Sequence, residues 1–303
     1  MLTLRGCKVN KGVGNKTIEV CGVKLYNGLT YLSPSAKSFF HAENFTRALL
    51  VAQHHVEGEE KGTVDRVRLT QFVERYIPYP KDDVLVVIDW EGPIMDALEL
   101  GNLGDNTALK SAASTYLEAY SIVKELRPKA IVGFYRFPVR QYHGRNEAWL
   151  ARNRSLDALF SQFDALFPSV YDFYVSKGNY KRRDVEYVEE NIQEALAMGI
   201  RIDKPVYPFI WHRYHSTEGK IPNGLIKPNE FKEHVKAVIK TEVDGKRVEW
   251  VVWWGSDYIK FVRDNKQFKT IAQRQKAYNP EGDQVLPVCY QLLKDAINET
   301  CQK

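Results

Sequence analysis

A chain of 303 residues with 44% apolar and 12% aromatic residues is long enough to bury a large core, either as one barrel or as two ordinary domains. Its net charge of +5 leans toward an anionic partner, an acidic polysaccharide or a nucleic acid, and charge alone does not choose between them. No apolar run approaches the length of a membrane span, and Met1 to Gly14 has no apolar signal core, so the chain reads as soluble or as beginning after a removed leader.

In chain order, Thr17-Ile18-Glu19-Val20 and Leu29-Thr30-Tyr31-Leu32 predict two short strands around the Asn27-Gly28 turn. A helix is predicted from about Ala42 to His55, with Phe45, Leu49 and Val51 approximating one face. Val67 to Tyr76 predicts a second amphipathic helix, stopped by Pro78. Val84 to Glu91 is a β-branched apolar run between Pro80 and Gly92-Pro93, the pattern of a fully buried strand. Gly92 to Thr107, rich in Gly, Asn and Asp, predicts a loop.

Helices are then predicted over 108–126, 147–166, 185–198, 229–239 and 286–297, interleaved with strands over 130–135, 169–174, 205–211 and 249–254. This alternation argues for parallel βα units. No linker divides them and no Gly-rich phosphate loop follows a strand. The fold class predicted is therefore α/β, a single (β/α) barrel domain over 1–303 with a divergent N-terminal part over 1–60, rather than a doubly wound open sheet.

Functional side chains in such a barrel cluster at the strand C-terminal ends. Those ends carry Asp89 and Glu91, Tyr135, Tyr171, Trp211 with His212, and Trp254 with Ser256 and Asp257. Asp89 and Glu91 alternate onto one face of their strand, and two acids so close cannot both ionise cheaply. One carboxylate beside one raised-pKa acid is a general-acid arrangement; a polar strand end that caps a helix is the plainer alternative. Tyr and Trp are also ordinary core and rim residues, but a rim of aromatics beside paired acids is what a sugar cleft requires.

Cys7, Cys21, Cys289 and Cys301 lie at the two ends of the chain at spacings that match no zinc motif. They allow a terminal staple or four free thiols. Asn15, Asn44, Asn153 and Asn298 each begin an Asn-x-Ser/Thr triplet, which matters only in a secretory pathway. Lys181-Arg182-Arg183 reads as a solvated helix start rather than an anion site. His54-His55 and His212-Arg213-Tyr214-His215 lack a third ligand at a recognisable spacing, so no metal is predicted. No Gly-x-Ser-x-Gly elbow is present.

Several motifs, taken together, resemble the hyaluronidase family of glycoside hydrolases (family 56). They are Asp89-Trp90-Glu91, Leu126-Arg127-Pro128 leading into Gly133-Phe134-Tyr135-Arg136-Phe137-Pro138, Phe167-Pro168-Ser169-Val170-Tyr171, Pro205-Val206-Tyr207-Pro208 and Trp254-Gly255-Ser256. The resemblance runs from roughly Leu69 to the C-terminus. It implies a distorted barrel that hydrolyses β-linked N-acetylhexosamine bonds in hyaluronan or chondroitin with retention, without metal or other cofactor. The implied partner is an anionic polysaccharide and not a nucleic acid, and the implied location is extracellular.

On that pattern Glu91 is general acid and then base, and Asp89 steers the substrate's acetamido group, whose oxygen acts as nucleophile. Tyr135 and Tyr171 hold that group or the developing charge, Trp254 walls the sugar, and Ser256 lies beside it. Substrate assistance accounts for two acids closer than the ~5 Å of a conventional retaining pair. The family's Trp-Arg pair after the Glu is absent, Gly92-Pro93 following instead, and an arginine expected on the helix after the Tyr171 strand is replaced near Asn191. Arg136, Arg140, His212 and Arg213 are the candidate substitutes. Cys289 falls near the family's C-terminal-helix cysteine, with Cys21 its expected partner. The alternative reading is a barrel with lost or narrowed catalysis that serves as a carbohydrate-binding protein.

Overall fold

In the computed structural model, which describes residues 18–30, 32–43, 45–100, 107–175, 179–217, 223–256, 267 and 269–301, the chain starts with an antiparallel hairpin of β1 (Ile18–Val20) and β2 (Val23–Leu29). Its turn is Cys21-Gly22, both at positive φ (53° and 80°), which matches the twist of hairpin strands. Asn27-Gly28, predicted as the turn, instead lies inside β2 opposite Trp253 and Trp254.

The predicted helix over 42–55 is also overturned. Helix α1 (Pro34–Ala42), capped by the Ser33 side chain, precedes strand β3 (Ala48–Ala52) and a 3-10 turn at Gln53–His55. Ala48-Leu49-Leu50-Val51-Ala52 is a short run apolar on both faces, which periodicity cannot assign, and pairing with the next strand decides it.

Helix α2 (Arg66–Tyr76) starts where the Asp65 side chain accepts from Arg68 N, and β4 (Leu85–Asp89) follows as predicted. Helix α3 (Pro93–Leu100) stands where a loop was expected, with Ile94, Met95 and Leu98 buried. Residues 101–106 of that predicted loop lie outside the described residues.

Helix α4 (Thr107–Leu126) and β5 (Ile131–Phe134) agree with expectation. The predicted helix over 147–166 is two pieces, α5 (Glu147–Ser155) and α6 (Asp157–Phe160). Next come α7 (Asn179–Ile202), β6 (Phe209–Trp211), α8 (Pro228–Lys240), a small hairpin of β7 (Glu242–Val243) and β8 (Lys246–Arg247), β9 (Trp250–Gly255) and a C-terminal helix, Ile271–Cys301. No helix among the described residues is long and apolar enough to cross a membrane.

The parallel strands run round a ring. Strand β9 pairs with β2 and β6, and β4 pairs with β3 and β5. Single parallel bridges supply the remaining joins: Asn27 with Arg47, Tyr135 with Phe167, and Leu166 with Val206 and Ser169 with Phe209. The predicted strand over 169–174 is thus reduced to isolated bridges. Pro168, Pro205 and Pro208 have no N–H to donate, and each only accepts, from Phe209, Leu166 and Val252 respectively. The barrel is distorted on the side where these prolines interrupt its ladders.

Strand parity divides the core in two. Val86, Ile88, Trp90 and Trp253 face outward into the helix layer, while Leu85, Val87, Phe167, Phe209 and Val252 fill the barrel interior. Gly133 sits in that interior where a Cβ would come within 2.5 Å of the Ala165 carbonyl and 2.7 Å of the Phe167 ring.

Cys21 bonds to Cys301, not to Cys289 as the resemblance implied. Cys289 and Cys301 share one helix, where twelve positions span roughly 18 Å. The helix end, with a Cα separation of 6.2 Å, reaches the hairpin turn, whereas Cys289 is buried in the outer core. Asn153 is fully buried, accepting from Val139 N and donating to Val139 O, so its triplet is not a surface acceptor.

Gly133→Ala should destabilise the fold by about 1–3 kcal/mol through overpacking, because backbone and ring must both shift. Urea unfolding of the variant checks this, and an unchanged midpoint would show that the strand relaxes freely.

Candidate active site

The inward parity of each strand, carried one step past the barrel core, builds the site. Leu85 and Val87 lead to Asp89 and Glu91, Phe167 leads through Ser169 to Tyr171, Phe209 leads to Trp211, and Val252 leads through Trp254 to Ser256. A cleft of about 230 Å³ is lined by Asp89, Glu91, Tyr135, Tyr171, Trp211, Trp254 and Ser256, together with Leu50, His215, Ser216 and Asn223.

Asp89 is half-buried, and its Oδ1 is out of solvent with no hydrogen-bond partner among the described residues. Loss of hydration, and then the charge on Glu91, push its carboxyl up to about 7, with Arg136 opposing. Glu91 differs: its side chain is 53% exposed and lies 3.7 Å from Arg136 Nη1. Between the two acids, Trp90 points the other way. Its indole donates to Glu57 and stacks on Tyr116, whose hydroxyl donates to the Trp90 carbonyl. This anchor fixes the backbone that carries both carboxyls.

Arg136 adopts positive φ (80°), strained for a residue with a Cβ. Its guanidinium is shared between Glu91 and Glu99, the latter 3.0 Å from Nε and nearly buried. Burial raises the Glu99 carboxyl above its ordinary range, against the pull of Arg136.

The opposite wall is aromatic. Trp254 stacks on Tyr171 (5.4 Å, 20°), and Trp211 meets both edge-on at 5.7 and 4.7 Å. The Tyr135 hydroxyl donates to Ser169 Oγ at 3.0 Å, and Arg140 also donates to Ser169 while lying over the rings of Tyr171 and Phe173. Burial raises both tyrosine hydroxyls, so they stay protonated donors. Burial, then Arg140 and Arg136, lower His215 to about 4, leaving a neutral imidazole at the rim. The buried Trp211 indole N–H has no partner among the described residues.

Some predicted residues fall elsewhere. His212 lies on the outward face, buried and accepting from Trp253 Nε1 at 3.1 Å, because neighbours along a strand face opposite sides. Arg213 is buried and donates to the Asn223 carbonyl, so it shapes the rim rather than lining it. Asn191 is structural, bonding Gln141 and Tyr187. Asp257 lies outside the described residues. Sequence reasoning does not name His215, Ser216 and Asn223 as site residues; the antiparallel bridge of Arg213 with Leu225 brings the segments that carry them together.

A family model described as Hyaluronidase matches residues 102–226. Hyaluronidase PH-20 of Rattus norvegicus is 28% identical over 206 residues, covering 55% of this chain and 40% of that protein. Over that segment the chain is similar to the hyaluronidase family. Hyaluronidase Tab y 2.0101 of Tabanus yao is 29% identical over 147 residues, 45% of this chain and 38% of that protein. The chain thus spans about two fifths of the length of these relatives. The crystal structure of bee venom hyaluronidase superposes with TM-score 0.60 at 14% identity, covering 88% of this chain and 99% of that one, and so shares the fold. The matched family segment begins after Asp89 and Glu91 and includes Tyr135, Tyr171 and Trp211.

The Asp89 shift predicts a stability signature. Its folded value near 7 exceeds the ordinary 3.8, so between about pH 4 and about pH 7 the folded state holds a proton that the unfolded state releases. Stability contributed by the neutral acid is therefore lost as pH rises through that window. Asp89→Asn should match wild type near the acid end and exceed it above neutrality, by on the order of 4 kcal/mol at most. Denaturant midpoints across pH check this; parallel curves for the two proteins would refute it.

Proposed function

We propose that this chain is a retaining endo-β-N-acetylhexosaminidase that cleaves a hyaluronan- or chondroitin-like glycosaminoglycan by substrate-assisted catalysis. The observation that carries the reading is the acid pair itself: two carboxyls on one inward face, two residues apart, one desolvated and one open to the cleft. Asp89 and Glu91 are too close in sequence to flank a sugar from opposite sides as a conventional nucleophile and acid would. The crystal structure of bee venom hyaluronidase in complex with a hyaluronic acid tetramer, TM-score 0.56 at 14% identity over 87% of this chain, lends this fold a polysaccharide-binding precedent.

Below about pH 7 the proton of the site rests on Asp89 in the free protein. A bound N-acetylhexosamine would reverse that preference. Its acetamido N–H donates to Asp89 and favours the anion there, while the sugar covers Glu91 and favours its neutral form. Glu91 then protonates the glycosidic oxygen. The acetamido carbonyl oxygen bonds to the anomeric carbon as the bond to the leaving oxygen breaks, and the Asp89 carboxylate balances the resulting oxazolinium charge.

Water then attacks the anomeric carbon from the vacated side, Glu91 takes its proton, and the acetamido oxygen leaves. Two inversions give net retention. The Tyr135 and Tyr171 hydroxyls, held protonated, can donate to the acetamido oxygen, and Trp254 offers a face to the sugar ring. Ser256 and the Trp211 indole N–H supply further polar contacts at the cleft wall. Arg136 holds Glu91 in reach of the bond.

Glu91→Gln should lower hydrolysis of hyaluronan or chondroitin by about 10²–10⁴-fold while sparing oligosaccharide binding. Mass-spectrometric sizing of products together with calorimetric binding checks this, and an undiminished rate would sink the mechanism. For wild type, kcat/KM should fall as pH rises through about 7, since the single proton of the pair is lost. A flat profile through neutrality would remove Asp89 from the proton inventory.

A further inference from the structure

A second, larger basin of about 650 Å³ adjoins the acid pair, sharing Leu50, Asp89, Trp254 and Ser256 with the first. It runs outward over the end of β3 toward α1 and α2, and two kinds of group line it. Lys37 and Arg47 are exposed cations, and among the described residues no carboxylate pairs with either. Facing them is a continuous row of rings: His54 lies 3.9 Å from His55, His55 4.4 Å from Phe72, and Phe72 4.6 Å from Tyr76. Burial, then the His54 and Arg68 charges, lower the His55 value, so its ring is a neutral surface. Tyr76 ends the row 44% exposed.

We infer that this basin is a second subsite, where Lys37 and Arg47 bind the anionic group of a sugar unit further along the same polymer and the row from His54 to Tyr76 carries the sugar faces. That the occupant is a glycosaminoglycan rests on the function proposed above. The volume lies within the ~300–1,000 Å³ typical of a site for a ligand of several rings. The cations are needed here because the guanidinium nearest the acids is already committed. Arg136 is shared by Glu91 and Glu99, and that pair of carboxylates leaves it no net charge to offer an incoming anion. Lys37 and Arg47 carry no such debt, and the aromatic rings beside them offer apolar faces to a sugar.

The test is calorimetric binding of a hyaluronan octasaccharide and of its carboxyl-reduced counterpart to wild type, to the Lys37→Ala/Arg47→Ala double variant and to Tyr76→Ala. The double variant should bind the native octasaccharide about five- to tenfold more weakly, with a shallower salt dependence, and the reduced one equally well. Tyr76→Ala should weaken both. Equal affinity of wild type and double variant for the native octasaccharide would overturn the subsite, as would an equal loss for the reduced one or no binding by wild type. The readout needs no turnover, so the two readings fail separately. Binding that depends on Lys37 and Arg47 without cleavage would refute only the hydrolase. Cleavage by wild type with the double variant's affinity unchanged would refute only the subsite.

Discussion

The site depends on one electrostatic constraint: a carboxyl is held out of water at the barrel mouth beside a second carboxyl. Asp89 ends a strand with paired neighbours on both sides, so it cannot swing outward to regain hydration. Glu91 is one pleat further on and does reach solvent. The difference of environment, rather than of residue type, separates the two acids into proton holder and exposed partner. Arg136 pairs with Glu91 and Glu99 and only opposes the rise of Asp89, whose desolvation outweighs that pull.

Holding that constraint costs the structure strain and buried polarity nearby. Arg136 sits in the left-handed region, which costs a side chain with a Cβ on the order of 1–3 kcal/mol, and its N–H donates to the Phe167 carbonyl of the neighbouring segment. Its two ion pairs and this bond over-determine the conformation. On the opposite wall, Arg140 is threaded behind Tyr171 and Phe173 and donates to Ser169, which also accepts from Tyr135. The aromatic wall is therefore braced from behind by a cation and a shared hydroxyl, so its rings are placed before any sugar arrives.

Much of this was legible in the sequence because a barrel repeats one simple rule. A strand of period two that ends in a chemical side chain delivers it to the mouth, and Asp89, Tyr135, Tyr171, Trp211 and Trp254 all followed that rule. His212 was misread by ignoring the same parity. Residues 48–52 were misread because Ala and Leu suit a helix as well as a strand, and only the partner strand settles a run so short. In 93–100, Pro93 at a helix start and the buried Ile94, Met95 and Leu98 carried a helical signal that the surrounding Gly and Asn obscured. His215 and Asn223 had no local signal, since a tertiary bridge and the left-handed backbone of Asn223 (φ 58°) bring their loop to the rim. The Cys21–Cys301 bond was likewise unreadable, because it needs the length and direction of the last helix.

Recognition and chemistry place opposite demands on charge at this mouth. An acid pair that shares one proton is easily disturbed, and a free guanidinium beside it would draw the proton off and leave no general acid. Glu99 pairs with Arg136 Nε at 3.0 Å, and Arg136 only opposes the rise of Asp89 without cancelling it. The same ion pairs occupy Arg136, so under the proposed function attraction for a polyanion comes from cations set back from the acids. Lys37 and Arg47 line the adjoining basin and not the first cleft, which alone of the two includes Glu91. Under the proposed function, a charged chain meets these cations outside the cleft into which Glu91 opens.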